Sequence, residues 1–99
     1  MEQDLMEGPV LVAFRLSEER AAEGYLAARR EMVARATRVA SVRRLVAEQR
    51  VRADYRSALR AAEAAYRTAE ERTELAFERW QVAQLRTDAR WTETYGKAA

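Results

Sequence analysis

Ninety-nine residues make one domain at most. Charged residues reach 34% against 8% aromatics, Ala supplies much of the 48% hydrophobic share and Ile is absent, a profile of long helices that excludes a thick layered core. The net charge of +2 is too slight to require a polyanionic partner, and with no Cys there is no disulfide framework.

The chain opens on Met1-Glu2-Gln3-Asp4, acidic where a signal peptide wants positive charge. Its apolar run, Val10 to Phe14, is far too short to span a bilayer. A soluble, cytoplasmic protein without a membrane span is the expectation. Gly8-Pro9 punctuates the chain. Residues 1–16 are therefore read as an acidic lead and an apolar arm. The segment VLVAFRL, 10–16, is β-branched enough to be extended, although Pro9 could equally occupy the first turn of a helix.

Ser17-Glu18-Glu19 is a helix start: the hydroxyl can accept from an orphan N–H, and the carboxylates face the positive end of the dipole. From there to Gly96 there is no Pro, and Gly24 is the only Gly. A first apolar stripe runs through Ala21, Ala22, Tyr25, Ala28, Met32, Ala36, Val39, Ala40, Val46 and Ala47, widened by Leu26 and Val33. Arg29, Arg43 and Arg50 sit within it, with stems to bury and heads to carry to water or Glu.

The stripe falls out of phase around residues 48–56, where Asp54 could cap a second helix and Arg50 and Arg52 could sit near the negative end of the first. The reading is all-α: a long antiparallel helical hairpin or coiled coil behind the short extended arm. Residues 17–95 form one hairpin domain, with a helix at about 17–50, a turn at about 50–54 and a helix at about 54–94. The competing topology is one unbroken helix dimerised along its length.

The second half is strongly patterned. Tyr55-Arg56-Ser57-Ala58 returns as Tyr66-Arg67-Thr68-Ala69, eleven positions on. Eleven residues are close to three turns, so the repeat keeps large rings on one side. Tyr55, Leu59, Ala62, Tyr66, Ala69, Thr73, Phe77, Trp80, Gln84, Thr87, Trp91 and Tyr95 share that side. Ala62, Ala69, Ala76 and Ala83, seven apart, would let a neighbouring backbone come close. Charges fit a fold-back: residues 38–60 carry seven Arg against Glu48 and Asp54, and residues 63–79 carry five Glu against three Arg. Closure near 52 would bring Arg35 and Arg38 near Glu70, and Arg30 near Glu74.

Catalysis has little to work with. Without His or Cys the commonest general base and the most reactive nucleophile are missing. Glu70, Glu71, Glu74 and Glu78 lack the His that di-metal carboxylate bundles require. No enzyme activity, cofactor or metal site is expected. The candidate function is protein–protein interaction as a scaffold, adaptor, stalk or small regulator. Tyr66, Leu75, Phe77, Trp80, Val82 and Trp91 are its contacts, and a homodimer is the expected state. Leu75 and Val82, with Ala89, form a minor stripe opposite the aromatic one, and a helix apolar on two sides usually has two neighbours. The alternative is nucleic-acid binding through Arg38, Arg43, Arg44, Arg50, Arg52, Arg56 and Arg60, since Arg is the preferred phosphate fork.

In size and plan the chain resembles small secreted WXG-type hairpins, but Trp80 is followed by Gln81-Val82 and Trp91 by Thr92-Glu93, so the Trp-x-Gly turn of that family is missing. The Arg/Ala/Glu-rich stretch 55–91 is similar in composition to the coiled-coil stalks of flagellar and type III export ATPases, with no specific motif behind the likeness.

Overall fold

A computed structural model describes residues 2–96, with side chains from Gly8 onward. Two helices pack as an antiparallel hairpin: α1, Glu2–Glu48, and α2, Ala53–Tyr95. Among the described residues there is no strand. Met1, where the acidic lead begins, lies outside them.

The extended arm expected at 10–16 is instead helix, and Ser17 is an exposed residue inside α1, not its cap. The break comes earlier, at Gly8, whose backbone (φ 72°, ψ 158°) interrupts α1. That conformation is essentially restricted to glycine, and its ψ suits a residue preceding proline. Pro9 then falls in the first turn of the uninterrupted helix, where its missing N–H costs nothing. Burial explains why Val10 and Val12 do not pull the segment into an extended form. Leu11, Phe14, Glu18, Ala21 and Tyr25 recur at three and four residue steps, and Leu11 is only 1% exposed. The two valines point outward, where their weaker helix propensity costs only tenths of a kcal/mol each.

The connection is short. Gln49 N–H donates to the Leu45 carbonyl (2.9 Å), and Arg52 N–H donates to the Gln49 carbonyl (3.0 Å), closing a four-residue turn over 49–52. Among the described residues no non-glycine residue has a positive φ, so the turn needs none of the left-handed positions that call for Gly. This is why the sequence carries no Gly or Pro there. Asp54 does not cap α2; it stands in the first turn, and the Arg52 carbonyl accepts the first helical bond, from Arg56 N–H (3.3 Å).

Two compact units divide the hairpin. In the first, up to Tyr25 and from Ala76, Leu11 and Thr87 are buried. The Thr87 hydroxyl lies 3.2 Å from the Phe14 carbonyl of α1 and 3.0 Å from the Ala83 carbonyl of its own helix, both accepting from it. In the second, Leu26–Leu75, the seam is Val39 and Val42 against Ala62, flanked by Val46, Ala58, Leu59 and Tyr66. Ala62 and Ala69 are buried as their seven-residue spacing predicts.

Gly24 lies within α1, and a Cβ added there meets nothing within 4 Å. Gly24→Ala is expected to stabilise the protein by about 0.5–1 kcal/mol, because it lowers the entropy of the unfolded chain without a clash. A thermal melt followed by circular dichroism measures this, and an unchanged or lower midpoint would refute it.

Candidate functional site

The side chains proposed as contacts do not lie in one place. In the first unit, Tyr25 of α1 meets Phe77 (ring centroids 5.3 Å, tilted 56°) and stacks on Trp80 (5.4 Å, 23°). Phe77 and Trp80 touch edge to face at 6.1 Å. The eleven-residue repeat with Phe77, and Trp80 three positions on, thus supplies one half of an interhelix ring cluster. Trp80 is half-buried in it. Trp91 is 46% exposed, lies 4.2 Å from the Tyr95 ring and carries the Arg15 guanidinium 5.4 Å over its face. A depression of about 370 Å³ runs between Arg15, Glu18, Glu19 and Ala22 on α1 and Trp80 and Thr87 on α2.

In the second unit, Tyr66 packs against the Val39–Val42–Ala62 seam, and its hydroxyl donates to Glu70 (3.2 Å). The Glu70 carboxylate beside it holds the phenol above its ordinary pKa. Arg43 reaches across to Glu63 (3.3 Å), its head in solvent as a snorkelling side chain requires. Arg43, Glu63 and Tyr66 rim a groove of about 420 Å³ with Ala36, Val39 and Ala40 of α1. Arg35 does not meet Glu70; it pairs with Glu31 on its own helix (2.7 Å), because an i, i+4 partner needs no help from the seam.

No protein-family model, curated protein or solved structure matches this chain. Its chemistry therefore has to be read from its own surface.

Two faces carry the rest. On α2 of the first unit, Val82 is 45% and Leu85 68% exposed. With Ala89 they follow one another at i, i+3 and i+7 on the side opposite Thr87, so they share a stripe that α1 does not cover. Leu75, in the second unit, is also half exposed. Leu85, the most exposed of these, follows Val82 at helical spacing and lies outside the aromatic periodicity of the sequence.

At the closed end of the second unit lies the arginine cluster. Arg52 forms two bonds to Asp54 (3.0 and 2.7 Å) and lies 4.2 Å over the Tyr55 ring. The hydrogen bond from Arg52, more than charge alone, holds the Asp54 carboxyl below its usual range, and Asp54 in turn raises the guanidinium. Arg56 donates to the carbonyl of Arg50, closing the turn while keeping its own charge. Arg44, Arg50 and Arg60 are exposed and, among the described residues, enter no ion pair. Among the described residues, no group of three His, Cys, Asp or Glu could hold a metal, and no helix is long and apolar enough to cross a membrane.

Proposed function

We propose that this protein is a non-catalytic interaction module that pairs with a second copy of itself through the outer stripe of α2. The carrying observation is an apolar stripe that folding leaves in water: Val82 is 45% and Leu85 68% exposed on the side of α2 opposite the buried Thr87. A second hairpin laid on that stripe would give each α2 two neighbours, as its two apolar sides require.

Among the sequence-derived contacts, this reading retains Val82. Phe77 belongs with Tyr25 in the ring cluster, Trp91 falls one turn from Thr87 on the inner side, and Leu75 is an exposed residue of the second unit, outside the first unit's stripe. The reading assigns Tyr66 and Trp80 to the hairpin's own packing. The module would act by occupying helical surface, its charges setting register more than affinity.

Sedimentation equilibrium tests it. Wild type is expected to dimerise, and V82E/L85E is expected to weaken the dimer by at least about a hundredfold, because carboxylates buried without partners cost several kcal/mol. Helicity should not change, since both side chains point away from α1. A wild-type monomer at every concentration would overturn the reading.

A further inference from the structure

The closed end of the hairpin has an asymmetry that dimerisation does not use. Residues 38–60 carry seven Arg against two acids, a local +5 in a chain whose net charge is +2. Asp54 and Glu63 neutralise Arg52 and Arg43, while Arg44, Arg50, Arg56 and Arg60 keep their charge. Val51, between Arg50 and Arg52, is 89% exposed and tops the turn.

We propose that this tip is a docking site for an anionic lipid surface, met end-on. The geometry selects a plane over a polyanion lying alongside. Arg44 is two residues beyond the buried Val42, and Arg60 two residues before the buried Ala62. Each therefore points about 160° away from the seam of its own helix, so the two face outward in opposite directions. A duplex laid against one side would reach one of them; a surface across the end reaches both.

Depth agrees. Arg44 lies about 6 Å of helix rise from the end of α1, Arg56 about 5 Å and Arg60 about 10 Å from the start of α2. All are within reach of a surface touching Val51 when the Debye length is about 8 Å and the side chains can bend toward it. Arg38 stands about 15 Å back and serves as a control. Exposed Val51 at the apex adds a small apolar contact that a headgroup layer accepts.

Co-sedimentation of the full chain with vesicles decides the matter. Phosphatidylcholine vesicles containing phosphatidylserine should bind it, pure phosphatidylcholine vesicles should not, and raising salt should release it. The R44Q/R50Q/R60Q variant should bind about a hundredfold more weakly, at about fivefold per arginine, with unchanged helicity. R38Q should bind as wild type. Equal binding to neutral vesicles, or a triple variant that binds like wild type, would overturn the proposal. So would tighter binding to a short DNA duplex with loss on R38Q, which would assign the arginines to nucleic acid. The test is independent of the dimer, because V82E/L85E leaves the tip untouched and should bind the same vesicles through it.

Discussion

Replacing Leu11 by Ala is expected to cost about 3 kcal/mol and to lower the thermal midpoint by roughly 10–20 °C. At 1% exposure Leu11 is, with Val42, one of the two large side chains wholly withdrawn from water among the described residues. Its removal takes away both transfer free energy and contacts that a hairpin with so small a seam cannot replace by collapse. The neighbouring Val12→Ala should move the other way by a few tenths of a kcal/mol, since Val12 is 43% exposed and Ala is the better helix former. The pair of signs is diagnostic. In an extended arm laid in water, Leu11→Ala would fall within about 0.5 kcal/mol and Val12→Ala would bring no gain. Chemical denaturation monitored by circular dichroism gives both values. Native-state hydrogen exchange should place the loss in the first unit, up to Tyr25.

Trp80→Ala should produce the second large effect, about 2–3 kcal/mol, below the roughly 3–5 kcal/mol of a fully buried Trp because the ring is only half-buried. The physical content lies in the coupling. Tyr25 and Trp80 stack at 5.4 Å and 23°, so a double-mutant cycle with Tyr25→Ala should return about 1 kcal/mol of interaction. An interface anchor would behave differently: its loss would weaken association and leave the isolated hairpin intact. Measuring the cycle in the V82E/L85E background separates the two. A coupling near zero there, with unchanged stability, would remove Trp80 from the hairpin's interior.

The two predictions mark a division of labour along α2. Its inner side, where aromatic rings and small residues alternate, closes the hairpin: Ala62, Ala69, Thr73 and Thr87 are buried between half-buried rings. Its outer side holds Val82 and Leu85 in water. Periodicity assigns the rings to a buried face, and size and spacing do not show against what that face is buried. The same ambiguity affected Arg35. Its charge and distance from the turn suited Glu70, yet its position on the helix gave it to Glu31.

The amino-acid sequence by itself determined that the chain is helical, that its apolar stripes lose phase near residue 50 and that the second helical stretch runs to about residue 94. That the loss of phase is a reversal and not a stutter in one long helix was decided by packing. Periodicity, the near absence of breakers and the loss of phase at 48–56 are properties of neighbouring residues, and local interactions read them directly. Only the tertiary structure decided that VLVAFRL is helix, because its β-branched residues favour extension and the burial of Leu11 and Phe14 outweighs them. Packing alone also decided which apolar stripe of α2 meets α1 and which stays in water. Two stripes on one helix are equivalent until a second helix covers one of them.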